Sequence, residues 1–291
     1  MSRLSCAKKP VVAVADSDSH LLYEKVGVIA KITLNRPEAL NAFSVPMIKG
    51  WAEALQDAQD DPNIRVVVVT AVGKAFCAGG DVKSMLAGNG FIADAETGEC
   101  WGDKAINRKG ALTNYIHKVA LTLEGMDKPV ICAINGVAVG AGLDMALMCD
   151  IRIAADNVQL SGGYVKAGLV PGDGGCYFLP RLVGVAKALE LLWTADFISA
   201  EEALRIGMVN KVVPAEELEK ATMEMAMKIA DNPPVCVQMI KRAVYSSQRT
   251  QDLRTALDLI SSHMAIVTEM DDYKEGVAAI KDKRKPVFKG I

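Results

Sequence analysis

Three short runs of small residues carry the chemistry to be expected of this sequence. The first is Ala75-Phe76-Cys77-Ala78-Gly79-Gly80-Asp81-Val82, a few residues after the apolar run Val66 to Thr70. Where no side chain intervenes, backbone N–H groups can approach a ligand directly. Locally, an ordinary Gly-Gly-Asp turn reads the same way. The second run, Asn135-Gly136-Val137-Ala138-Val139-Gly140-Ala141-Gly142-Leu143-Asp144, follows another apolar stretch and opens a helix. Free N–H groups at such a helix start favour an oxyanion. It is not a dinucleotide fingerprint, because GVAVGAG lacks the GxGxxG order and no acidic residue follows a second strand at the usual distance. Asp144 falls one turn inside this helix, where its plainest reading is a carboxylate answering the helix dipole. The third run, Gly162-Gly163-Tyr164 through Gly172-Asp173-Gly174-Gly175, is a Gly-rich loop before a helix, with Asp173 as a solvated turn residue on its plainest reading.

These runs need elements to position them. Val26 to Leu34 has strand character, and Ser44 can cap a helix through about Ala58 with Met47, Trp51, Ala54 and Leu55 on one face. Val66 to Thr70, Pro129 to Ile134 and Ile151 to Ala154 read as buried strands, with a helix over Gly140 to Met148. Gly88 to Gly110 is polar and irregular, a loop or lid, followed by a helix through Leu123. Strands alternating with helices predict an α/β fold with a parallel sheet. From about Lys187 the pattern is nearly all helical. The expected organisation is a lead-in over 1–18, a sheet-based core over 19–198 and a helical C-terminal region over 199–291.

Composition narrows the function classes. The chain has 291 residues, 51% hydrophobic and 23% charged, enough to bury a sizeable core. Its 33 Lys and Arg against 35 Asp and Glu give a net charge of -2, which argues against nucleic-acid binding, RNA included, and against an anionic membrane surface. Seven cysteines without a CxxC pair fit reduced thiols in a cytoplasmic protein, mostly acting as small buried hydrophobes. The N-terminus has no secretory pattern, and the apolar stretch from Pro129 to Ile153 is broken by Asn135, Asp144, Asp150 and glycines that a bilayer span tolerates badly.

Taken together and in order, the three runs resemble the crotonase (enoyl-CoA hydratase/isomerase) superfamily. The matching pieces are ITLNRPEALNAFS (32–44), AFCAGGDVKSM (75–85), KPVICAINGVAVGAGLDMALMCDIRIA (128–154), AGLVPGDGGCYFLPRLVG (167–184) and AEEALRIGMVNKVVP (200–214). The resemblance implies a crotonase-like spiral of ββα units with a helical C-terminal trimerisation region, in a homotrimer or dimer of trimers. It implies an acyl-CoA substrate and no metal or redox cofactor, coenzyme A being part of the substrate. By position, the N–H groups of Gly80 and Ala141 form the oxyanion hole. Ala78 and Val82 match positions whose backbone meets the adenine of CoA, with Asp81 between them. Lys283 is the best match to a CoA-phosphate contact, against the plain reading of a solvated charge run.

The sequence departs from the hydratase pattern at one place. Hydratases of the family hold a water between two glutamates, at the positions of Asp144 and Tyr164. Asp144 keeps a shorter carboxylate, while Tyr164 is a phenol with a reference pKa of about 10, a donor rather than a base at neutral pH. Asp173 is the nearest spare carboxylate, one residue beyond the place where relatives with other activities carry an acid. Hydration of a 2-enoyl-CoA, through an enolate held by the two N–H groups, is the leading expectation. Double-bond isomerisation and thioester hydrolysis through Asp144 are alternatives, as is a non-catalytic CoA-binding subunit. His117, Trp101 and Tyr115 are candidates for lining the acyl pocket, with core packing as the plainer reading.

Overall fold

The computed structural model describes residues 19–88, 90, 92, 104–250 and 252–291. Strands β1 (Leu21–Val26) and β2 (Ile29–Leu34) form an antiparallel hairpin, where the sequence suggested one strand. Gly27, at a φ of 61°, makes the turn that separates them. Helix α1 (Val45–Asp60) starts as expected, with the Ser44 hydroxyl accepting from Met47 N–H and Met47, Trp51 and Leu55 fully buried.

Three units then repeat one plan. β3 (Val66–Ala71) leads to β4 (Ala75–Cys77) and the short helix α2 (Val82–Leu86). Before the next unit come α3 (Ala105–Ala111), a π-helical turn over Leu112–Ile116, and α4 (His117–Gly125). β5 (Val130–Ile134), β6 (Val137–Val139) and α5 (Ala141–Leu147) form the second unit. β7 (Ile151–Ala155), β8 (Gln159–Ser161), a 3-10 turn over Tyr164–Ala167 and α6 (Gly175–Val183) form the third. The first strand of each unit enters a six-stranded sheet and the second a four-stranded sheet. The spiral of ββα units follows from this alternation.

The rest is mainly helical: α7 (Val185–Thr194), β9 (Ile198–Ser199), α8 (Ala200–Arg205), β10 (Lys211–Val213), α9 (Leu218–Ala230), α10 (Pro234–Arg249), α11 (Leu253–Glu269) and α12 (Asp271–Asp282). β10 falls between the helices expected over Ala200–Ile206 and Ala215–Ala230, in a region that reads as nearly all helical, and it pairs in parallel with β7 at the edge of the large sheet. The large sheet runs β1-β2-β3-β5-β7-β10 and the small one β4-β6-β8-β9. β3 and β5 are buried along almost their whole length, which explains their continuous apolar runs. Among the described residues no helix is long and apolar enough to cross a membrane.

Candidate active site

The ends of β4 and β6 bring the first two small-residue runs together. Gly142 lies so close to the first run that a Cβ there would stand 2.2 Å from the Cys77 carbonyl oxygen. Only glycine lets the two backbones meet at this distance. Neither Gly80 N–H nor Ala141 N–H donates a hydrogen bond to any described residue. Gly80 and Ala141 both line one cavity of about 190 Å³, with Ala78, Val82, Tyr164 and Asp173 among the other lining residues. Two uncommitted amides on one largely apolar cavity are what a developing oxyanion requires.

The first loop is held from below. Phe43 N–H donates to Gly79 O (2.8 Å), and Ala78 N–H to Leu40 O (3.0 Å). Asn41, fully buried, donates to Val72 O and Ala75 O, both at 2.9 Å, and accepts from Arg36 N–H at 2.7 Å. Arg36 also pairs with Asp81 at 2.8 Å. Asp81 Oδ1 caps α2 by accepting from Ser84 N–H at 2.9 Å. Burial raises the Asp81 pKa, but the Ser84 amide and the Arg36 guanidinium outweigh it and leave the carboxyl below its ordinary value. Its carboxylate is therefore committed to holding the loop and is not among the cavity-lining groups. Asn41 and Arg36 were missed by sequence reasoning as site residues. The segment ITLNRPEALNAFS that contains them was the available signal.

The remaining chemistry is an acid cluster. Asp144 is 1% exposed and Asp173 5% exposed, so the solvated-turn reading of Asp173 is corrected: the loop before α6 folds inward and makes Asp173 part of the cavity lining. Tyr164 Oη lies 2.6 Å from Asp144 Oδ2 and 2.9 Å from Asp173 Oδ2. Gly175 N–H also donates to Asp144 Oδ2, at 2.9 Å. Burial pushes the Asp144 carboxyl up to about 7; the Tyr164 and Gly175 hydrogen bonds oppose this and the charge of Asp173 adds to it. Burial likewise raises Asp173, against the Tyr164 hydrogen bond and nearby His117. Tyr164 is raised by burial and by both carboxylates, so it stays a neutral phenol.

Other candidates fall elsewhere. His117 Nε2 lies 2.8 Å from Gly172 O, steadying the loop that bears Asp173 without lining the cavity. Tyr115 packs on the core beside Lys49, and Trp101 lies outside the described residues. Leu112 and Ile116 of the π-helical turn line the cavity instead, which their spacing alone did not reveal. Lys283 is exposed at the end of α12 and does not line the cavity. The buried Cys77 thiol is pushed up to about 12 by burial, which removes it as a nucleophile at neutral pH. Among the described residues no group of three or more His, Cys, Asp or Glu is placed to hold a metal ion.

The family model described as "Enoyl-CoA hydratase/isomerase" matches residues 24–291. The chain belongs to the crotonase superfamily. A short-chain-enoyl-CoA hydratase of Clostridium acetobutylicum is 38% identical over 268 residues, covering 92% of this chain and 96% of the relative. A 1,2-epoxyphenylacetyl-CoA isomerase of Escherichia coli is 35% identical over 269 residues, covering 90% and 95%. The crystal structure of an enoyl-CoA hydratase from Bacillus anthracis superposes with a TM-score of 0.84 at 35% identity, covering 94% of this chain and all (100%) of that one. The chain is thus an enzyme of crotonase-type enoyl-CoA processing. The two relatives differ in reaction, so likeness alone does not choose between hydration and isomerisation.

Proposed function

We propose that the protein adds water across the double bond of a 2-enoyl-CoA. The observation that carries this reading is the meeting, on one cavity, of two free amides and an acid cluster holding a carboxyl close to neutral pKa. The thioester oxygen accepts from Gly80 and Ala141 N–H, each contact worth about 2–4 kcal/mol as charge moves onto that oxygen. The cluster takes the proton of the attacking water and delivers one to the α-carbon. The loop over Ala78 and Val82 receives the CoA adenine, with Asp81 fixing the loop, and Lys283 contacts CoA phosphate from the same or a neighbouring subunit.

A second reading, double-bond isomerisation, draws support from one feature. Among the described residues Asp173 is the one carboxyl lining the cavity, and moving a single proton between two carbons needs only one such group. A homotrimer, or a dimer of such trimers, is supported by α10 and α11, which bury none of their residues completely yet expose Ile240, Val244, Leu253, Leu257 and Met264. A cytoplasmic setting agrees with free thiols at Cys77, Cys132, Cys149, Cys176 and Cys236.

Crotonyl-CoA tests the reading. Loss of its enoyl-thioester absorbance without release of free thiol supports hydration. Appearance of that absorbance from a 3-enoyl-CoA, with crotonyl-CoA untouched, replaces hydration by isomerisation. Thiol release points to hydrolysis. A rise in melting temperature with CoA thioesters and no turnover leaves a binding subunit.

A further inference from the structure

The two aspartates do not meet the cavity alike. Asp173 lines it, whereas Asp144 does not and is 1% exposed. Tyr164 Oη bridges them, at 2.6 Å and 2.9 Å. A phenol has one hydrogen, so two oxygen–oxygen contacts of these lengths call for a second proton from a carboxyl. Asp144 Oδ2 already accepts from Gly175 N–H, and an oxygen that accepts twice is the poorer place for a proton. A charged Asp173 would by electrostatics leave the proton on Asp144, but the hydrogen-bond geometry decides otherwise, because Asp144 Oδ2 already accepts from Gly175 N–H: the second proton sits on Asp173 Oδ2 and is donated to Tyr164 Oη, while the phenol donates to an ionised Asp144. The other oxygen of Asp173, Oδ1, is buried and has no hydrogen-bond partner among the described residues. Leaving an acceptor orphaned in this way costs about 1–3 kcal/mol, a cost that a substrate proton removes.

We infer that Asp173, Tyr164 and Asp144 form a proton wire, with Asp173 Oδ1 as the port that touches substrate and Asp144 as the store behind it. The inference rests on the acyl-CoA reading above. In the forward step Asp173 Oδ1 bonds to the proton leaving the attacking water or the substrate carbon, and the bonding pair stays with that oxygen or carbon. The proton on Asp173 Oδ2 passes to Tyr164 Oη, and the tyrosine's own proton passes to Asp144 Oδ2. Asp173 and Tyr164 end neutral as they began, and Asp144 loses its charge. The reverse sequence returns a proton from Asp173 Oδ1 to the α-carbon. Atoms and charge balance without another reactant. The wire also keeps negative charge off the cavity wall, where it would oppose a developing enolate. Asp173 is the catalytic residue in this scheme, and Asp144 acts only through Tyr164.

The test follows turnover of crotonyl-CoA and exchange of the α-protons of butyryl-CoA in D2O. Tyr164→Phe keeps the ring and cuts the wire. It is expected to lower kcat and the exchange rate about 100-fold, with KM changed less than about threefold. Asp144→Asn should do the same, and the double variant should be no slower than either single one, because one wire is cut once. In the unmodified enzyme, the exchange rate in H2O–D2O mixtures should curve as several protons move together. Tyr164→Phe within about threefold of the parent kcat, or a straight line in the mixtures, overturns the wire. The mixture experiment decides even if the variants do not fold. Butyryl-CoA that fails to bind the unmodified protein overturns the acyl-CoA reading and the wire with it. Butyryl-CoA that binds and exchanges equally fast in Tyr164→Phe overturns the wire alone.

Discussion

The hydroxyl of Tyr164, a residue that lines the cavity, lies 2.6 Å from Oδ2 of Asp144, which is buried and does not line it. A phenol cannot serve as a base at neutral pH, but it can pass a proton. On the mechanism proposed above, this contact sets how acid–base work is shared, and it leads to measurable consequences.

The catalytic pH profile is expected to have an acid limb with a midpoint near 7, the value to which burial pushes Asp144. The store must be empty to accept a proton, so kcat/KM falls as pH drops through that midpoint. Because Asp144 is linked to Asp173 through Tyr164, with His117 nearby, the midpoint belongs to the cluster. An acid limb unchanged in Asp144→Asn would remove this carboxyl from the titration.

The same burial has an opposite effect on stability. An unfolded aspartate releases its proton near pH ~4, while the folded Asp144 holds it until about 7. The folded state binds more protons in that window, so stability falls as pH rises from about 4 to about 7. Asp144→Asn should therefore melt higher than the parent at pH 8, by a few kcal/mol in unfolding free energy, while losing activity. Calorimetry at pH 5 and pH 8 checks the sign; a parent that is more stable at pH 8 contradicts it.

Gly142→Ala places a carbon 2.2 Å from the Cys77 carbonyl and must drive the two amide-bearing loops apart. The expected loss in kcat is about 100-fold or more, comparable with losing one oxyanion donor. A folded variant with kcat within a factor of a few of the parent would detach this close approach from catalysis.

Asp81→Ala leaves Arg36 without its partner and α2 without its cap. Destabilisation of about 2–4 kcal/mol is expected, since the pair is largely buried. KM should rise and kcat should fall, because the loosened loop over Ala78 and Val82 also carries the Gly80 amide, while the acid cluster is untouched. Urea denaturation and steady-state kinetics measure both effects.

Leu257→Asp puts a charge on the exposed apolar face of α11, where Leu257 is 51% exposed. If that face joins copies of the chain, the variant should elute as a monomer by light scattering. A monomeric parent would refute the trimer.

What the sequence determined by itself is the part written in contiguous residues. Apolar runs made β3 and β5 readable, because strands covered on both faces need no polar alternation. Ser44 announced α1, and the small-residue runs marked the two backbone segments that meet at the cavity. Short elements were not legible: β4, β6 and β8 have three residues each and β9 two, too few for a period. Asn41 and Arg36 read as loop residues, since their partners Val72, Ala75 and Asp81 lie about 30 to 45 positions away. Only the tertiary structure decided that Asp173 turns inward and that Tyr164 bridges it to Asp144. Those facts depend on distances between helix α5 of the second unit and two segments of the third, the 3-10 turn that bears Tyr164 and the loop that bears Asp173. Local sequence dictates backbone preference, whereas the protonation of a buried carboxyl is set by whatever the fold packs around it.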